Sequence, residues 1–163
     1  MTAIDELLTR NKERGSAVSG YRDSPQPQLH VSILTCMDAR IQVFDIFGLG
    51  DGEAHILRNA GGVVTDDSIR SLALSQRKLG TREVMIMQHT NCGLNLVTED
   101  GFKDELEDAT GLRPTWAVEA FNDVNDSVRR SVTRVRRSDF LPHTDLVRGF
   151  VYDVHTGALT EVD

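Results

Sequence analysis

Val84-Met85-Ile86-Met87 sets four apolar residues in succession within the segment Glu83 to Gln88, with no polar position to mark a wet face. A strand with one side in water alternates apolar and polar residues, so a run of this kind belongs to a strand covered on both sides. Leu29 to Leu34, rich in β-branched residues and followed by Thr35-Cys36, has the same character. Ala54 to Leu57 and Leu146 to Val154 read as further strands, and His155-Thr156-Gly157 as a hairpin turn into Ala158 to Val162.

Between these runs the apolar period changes. Ile4, Leu7 and Leu8 have helical spacing in a short first segment over 1–15, which Gly15 would end. Ser24-Pro25-Gln26-Pro27 marks an extended connector over Gly20 to Gln28. Val43 to Phe47 is a short apolar stretch that runs into the glycine-containing loop Gly48-Leu49-Gly50-Asp51-Gly52. Ile69, Leu72, Ala73 and Leu79 form the apolar face of a helix, with Asp66, Asp67 or Ser68 as its cap and Gly80 at its end. A helix is expected over Gly101 to Ala109 within the polar stretch Thr90 to Gly111. Pro114 is expected to open a long helix, because Val118, Phe121, Val124, Val128, Val132 and Val135 recur at intervals of three or four. That helix would carry Trp116 toward the core and the cluster Arg129, Arg130, Arg134, Arg136 and Arg137 on a solvated face.

Strands alternating with helices imply an α/β fold: a mostly parallel β-sheet core flanked by helices on both faces. The length of 163 residues and the absence of a dividing linker place it in one domain over residues 1–163. An apolar content of 39% is enough for a core and excludes a mainly disordered chain. Acidic residues outnumber basic ones, 25 to 18, and aromatics make up 6%. Neither the charge nor the aromatic content suits nucleic acid as a partner. No leader-like segment opens the sequence and no apolar stretch is long enough to span a membrane, so a cytoplasmic protein with reduced thiols is expected.

The chain has two cysteines, Cys36 and Cys92. Open parallel sheets bind ligands beyond the carboxyl ends of their strands. Two expected strand ends carry Cys36-Met37-Asp38-Ala39-Arg40 and His89-Thr90-Asn91-Cys92-Gly93. If the extended backbone continued, Cys36, Asp38 and Arg40 would alternate onto one side. His89 and Cys92 stand three apart, a spacing that a tight turn or a first helical turn brings together. Two thiolates and an imidazole make a Cys2His zinc site with a fourth position open, which Asp38 could fill or stand beside. A buried cysteine is often no more than a small hydrophobe, and a lone histidine at a strand end is commonly structural. Two motifs that use every cysteine in the chain weaken that explanation. A Cys–His hydrolase or a redox pair joining Cys36 to Cys92 would draw on the same residues. His30, at the start of a strand, His55, inside one, and His143 and His155, near loops, read as structural or solvated.

Cys36-Met37-Asp38-Ala39-Arg40, Arg58-Asn59-Ala60-Gly61-Gly62 and His89-Thr90-Asn91-Cys92-Gly93 together resemble the β-class carbonic anhydrases, in particular their short bacterial members. The resemblance is strongest from Val31 to Leu94. It implies zinc on Cys36, His89 and Cys92, with Asp38 and Arg40 as the catalytic pair. Asp38 would either ligate the zinc itself or be held off it by a two-pronged pairing with Arg40. The implied reaction is reversible hydration of carbon dioxide to bicarbonate and a proton. Carbon disulfide or carbonyl sulfide hydrolysis on the same scaffold, and a non-catalytic zinc-stabilised module, are the alternatives. The resemblance further implies a homodimer or a dimer of dimers, with the helix over 1–15 packing across the partner subunit.

Overall fold

A computed structural model of the chain describes residues 2–14 and 24–163. Gly15 and the beginning of the connector expected over Gly20 to Gln28 lie outside them. Helix α1 spans Ala3–Arg14. Its first turn is closed reciprocally: the Thr2 N–H donates to the Asp5 carboxylate at 2.7 Å, and the Asp5 N–H donates to the Thr2 hydroxyl at 3.2 Å.

Five strands form one sheet in the order β2-β1-β3-β4-β5, where β1 is Val31–Cys36, β2 Ala54–Asn59, β3 Glu83–His89, β4 Val147–Tyr152 and β5 Leu159–Val162. The first four are parallel and β5 returns antiparallel along β4. The uninterrupted apolar runs occupy the centre, with Leu34 of β1 level with Leu57 of β2 and Ile86 of β3. β1 starts two residues later than its apolar run, because His30 turns the chain with φ +53° and anchors its ring to the Gly80 carbonyl.

Helices α3 (Asp66–Leu79) and α5 (Val124–Arg136) cover one face of the sheet. Leu34, Leu72, Val84, Ile86, Val128, Val132 and Val147 make the core there. Gly149 of β4 lets α5 approach closely, since a Cβ at that position would lie 2.8 Å from a Val132 methyl. Among the described residues, the short helix α2 (Val43–Phe47) and its flanks cover the opposite face, over Ile33, Met87 and Phe150. Ile56, Met85 and Tyr152 on that face are half-buried. The expected cover on both faces is therefore uneven.

Several local expectations change. The cap of α3 is Thr65, not Asp66, Asp67 or Ser68: the Thr65 hydroxyl accepts from the Ser68 N–H, and the Ser68 hydroxyl accepts from the Thr65 N–H. Gly80 ends α3 in the left-handed region at φ +76°. The helix expected over Gly101 to Ala109 is α4, Glu99–Thr110. The long helix expected from Pro114 does not form, and helix begins only at Val124 with Asp123 as its cap. Val118 and Phe121 are buried, but from an irregular segment. Glu99 decides this, because its carboxylate accepts the N–H groups of Val118 and Glu119, at 3.0 and 3.1 Å, and Glu119 has φ +61°. Helical spacing of buried residues thus ran past the true helix start into a loop that buries its apolar residues by other means.

Candidate metal centre

The strand order reverses beside β1: the chain goes to β2 on one side and then to β3 on the other. The carboxyl ends of two parallel strands are thereby left facing a crevice, the usual ligand position in such sheets. Cys36 ends β1 and His89 ends β3. After His89 the chain bends through Asn91 at φ +53°, which brings Cys92 back beneath the histidine. Cys36, His89 and Cys92 are all buried, and one donor atom from each lies within 4.8 Å of the other two.

The donors carry the chemistry of ligands. The Cys36 and Cys92 sulfurs are 3.9 Å apart. The hydrogen bond from Cys92, then the adjacent His89 ring and the Asp38 and Gly61 N–H groups, pull the Cys36 thiol far below its ordinary range despite burial. Giving that bond, and burial, hold the Cys92 thiol above its own. His89 Nδ1 lies 2.8 Å from the Thr90 carbonyl oxygen and so carries the proton, which leaves Nε2 as a bare lone pair. That Nε2 is buried with no hydrogen-bond partner among the described residues. Burial disfavours a charge on His89, but the neighbouring Cys36 sulfur and the Thr90 carbonyl outweigh it and raise the pKa, so a metal at Nε2 would compete with a proton there. An orphaned lone pair facing two sulfurs, one already favouring the thiolate, fits a borderline-soft cation such as zinc.

Asp38 and Arg40 stand beside this cluster, but not by strand alternation. Extended backbone stops at Cys36, and Asp38 and Arg40 occupy a turn closed by the Ile41 N–H to the Asp38 carbonyl at 3.0 Å. Arg40 reaches Asp38 with a fork, Nε to Oδ1 at 2.9 Å and Nη2 to Oδ2 at 2.7 Å, and its own N–H also donates to Oδ1. These bonds hold the Asp38 carboxyl well below the usual carboxylate range and raise the Arg40 guanidinium. Asp38 Oδ2 lies 3.7 Å from His89 Nε2.

Residues with no assigned role in the sequence reading build the frame. Arg58 donates to the carbonyl oxygens of Cys36 and Asp38 at 2.9 and 2.7 Å, and so fixes the backbone that aims both side chains. Asn59 holds the following loop through the N–H and carbonyl of Val63. Gly62 lies against β1 with φ +63°, and a Cβ there would meet the Cys36 nitrogen at 2.7 Å. The Arg58 to Gly62 string carried that signal, without revealing what each residue does.

A cleft of about 660 Å³ opens over the cluster, walled by Met37, Val63, Leu94, Phe102, Trp116 and Val118. Trp116 is 54% exposed on the irregular segment before α5, so the expectation of a core tryptophan on a long helix is corrected. Asp66 pairs with Arg134 at 2.6 Å on the surface, outside the cleft. Of the arginine cluster, Arg134 and Arg136 also bond the carbonyls of Val64 and Val147. His55 bridges Ser75 and Pro25, a structural role.

A five-stranded, mostly parallel sheet with a Cys-His-Cys cluster at its switch point, and an arginine-held aspartate beside it, defines a class of metalloprotein fold and site. The family model for carbonic anhydrase matches residues 31–122. Beta-carbonic anhydrase 1 of Mycobacterium tuberculosis is 48% identical over 162 residues, covering 99% of each chain. A carbon disulfide hydrolase of Acidithiobacillus thiooxidans is 33% identical over 148 residues, 78% of this chain and 74% of that protein. The crystal structure of a carbonic anhydrase from Streptococcus mutans superposes with a TM-score of 0.93 at 36% identity, over 100% of this chain and 99% of that one. The chain belongs to the β-carbonic anhydrase family.

Proposed function

We propose that this protein catalyses the reversible hydration of carbon dioxide to bicarbonate and a proton, with zinc held by Cys36, His89 and Cys92. The observation that carries this reading is the convergence of two sulfurs and a partnerless imidazole nitrogen beside a carboxylate clamped by arginine. Zinc held by these three residues would supply Lewis acidity toward the water that attacks the substrate. The fork from Arg40 keeps Asp38 ionised and therefore purely an acceptor. Asp38 takes a hydrogen bond from the attacking water and directs its lone pair at the carbon of the substrate. Its pairing with Arg40 supports a carboxylate standing beside the metal position, not in it. The apolar walls of the cleft suit a small uncharged substrate.

In sequence, 48% identity over the whole length to a carbonic anhydrase supports carbon dioxide over carbon disulfide, whose named hydrolases align with 78% of the chain or less. Stopped-flow hydration of carbon dioxide by the zinc-loaded protein tests this directly, with carbon disulfide hydrolysis run in parallel. Hydration at a rate indistinguishable from buffer would refute the reading. Turnover of carbon disulfide alone would replace it.

We also infer one domain over residues 1–163 that works as a homodimer or a dimer of dimers, with α1 lying on the partner. Ile4 and Leu7 of α1 are 69% and 62% exposed, and Met37 beside the cleft is 66% exposed. Such an apolar stripe on a short helix is marginal in water without a covering surface. Analytical ultracentrifugation of the chain with and without residues 1–14 checks this, and a monomer in both would refute it. No described helix is long and apolar enough to cross a membrane. Two unpaired thiols 3.9 Å apart fit a reducing compartment such as the cytoplasm.

A further inference from the structure

His155 sits in the turn between β4 and β5, and its backbone is pinned there. Its N–H and that of Thr156 donate to the Asp153 carboxylate at 2.8 and 3.0 Å. The Val154 N–H donates to the Thr90 hydroxyl at 3.2 Å, which docks this turn on the bend between His89 and Cys92. At that contact the Asn91 side-chain amide donates to His155 Nε2 at 2.8 Å. Asn91 has φ +53°, a conformation disfavoured for residues other than glycine and tolerated best by asparagine. Its carbonyl oxygen accepts Arg40 Nη2 at 2.9 Å, and the same nitrogen donates to Asp38 Oδ2 at 2.7 Å.

We propose that His155 is a positioning residue for the Asp38–Arg40 pair: by accepting from the Asn91 side chain it fixes the Asn91 peptide, whose carbonyl oxygen holds Arg40 in place. The inference rests on the carbonic anhydrase reading of the site. An amide nitrogen only donates, so His155 Nε2 must accept, with the ring proton on Nδ1. The left-handed bend at Asn91 needs an anchor on its side chain, because relaxation of φ would swing the adjacent carbonyl away from Arg40. Without that acceptor the guanidinium keeps only Asp38 as a partner, and both can move together. The turn of the β4–β5 hairpin thus reaches the Asp38–Arg40 pair through the His155 side chain.

The test compares His155→Leu with His155→Gln in the zinc-loaded protein, since the glutamine side-chain oxygen can accept from Asn91 where leucine cannot. The readouts are kcat and KM for carbon dioxide hydration, zinc content, and the 15N–1H resonance of Arg40 Nε. His155→Leu is expected to lower kcat about tenfold with zinc content and KM nearly unchanged, and to shift the Arg40 resonance. His155→Gln should restore both. An unmoved Arg40 resonance in His155→Leu, or a glutamine variant as impaired as the leucine one, overturns the proposal. Should His155→Leu fail to fold, Asn91→Gly deletes the amide and keeps the positive φ. It must then reproduce the kcat loss and the shift, and wild-type values would overturn the proposal. If the wild-type protein itself does not hydrate carbon dioxide, the functional reading fails, while the Arg40 resonance still decides the relay.

Discussion

Arg58 Nε donates to the carbonyl oxygen of Cys36 at 2.9 Å, from the neighbouring strand, while Nη2 of the same side chain reaches the Asp38 carbonyl. A single guanidinium therefore sets the path of the chain between a cysteine of the cluster and the aspartate beside it. The fork is rigid, so the two bonds fix a direction as well as a distance.

Arg58→Ala should therefore lower hydration activity by roughly 10- to 100-fold, the usual cost of losing a group that orients a metal site. Arg58→Lys should recover little, because an ammonium cannot serve both carbonyls in the same geometry. Stopped-flow rates and zinc content per chain would check this, and full activity in the lysine variant would contradict the role of the fork.

Arg40→Ala tests the pairing with Asp38. The arginine bonds Asp38 and the Asn91 carbonyl but none of the three cluster residues. Zinc content should accordingly stay near one per chain while kcat falls about 100-fold or more. Loss of the metal in this variant would show that Arg40 supports the ligands themselves.

Glu99 gives a pH dependence with a built-in probe. Lys103, and then the Val118 and Glu119 N–H groups, hold its carboxyl below the ordinary glutamate value. A depressed pKa means that the stabilisation is complete above the unfolded value and is lost as pH falls through the folded one. The segment Glu99 holds carries Trp116, the only tryptophan in the chain. Trp116 emission should stay constant from pH 8 to about 5 and shift only as pH drops below the ordinary glutamate range of about 4.3. Glu99→Gln should show the shifted spectrum already at neutral pH.

Metal removal should cost stability as well as activity. Ligand binding to the folded state alone adds about 4 kcal/mol at a thousandfold excess over Kd, or roughly 10 °C in Tm for a chain of this size. Chelation followed by a thermal scan measures it, and readdition of zinc should restore the lost Tm. An identical Tm after verified metal loss would contradict the assignment of the cluster.

Gly62→Ala should destabilise the fold by more than about 2 kcal/mol, combining a left-handed residue with a clash against β1. The added methyl would meet backbone atoms of Thr35 and Cys36 at 2.7 to 2.8 Å, which cannot turn aside as a side chain could. Urea titration of the variant gives the figure.

The central strands, α1, α4 and the closing hairpin were legible because apolar runs and turn residues are local properties. Helical spacing misled at Pro114, where Val118 and Phe121 are buried although Glu99, far back in the chain, holds their backbone out of a helix. Thr65 was missed as a cap because several good capping residues follow one another there, and only the Ser68 bonds single one out.

Residue type and spacing pointed to Cys36, His89 and Cys92 with Asp38 nearby, since a chain with two cysteines leaves few ways to build such a cluster, and the family resemblance added Arg40. Tertiary structure decided which way Asp38 turns, that His89 Nε2 has no hydrogen-bond partner among the described residues, and that Arg58, Asn91 and His155 stand behind them. Those outcomes depend on angles and hydrogen bonds between segments up to 64 residues apart, and such contacts exist only once the sheet has brought its strand ends together.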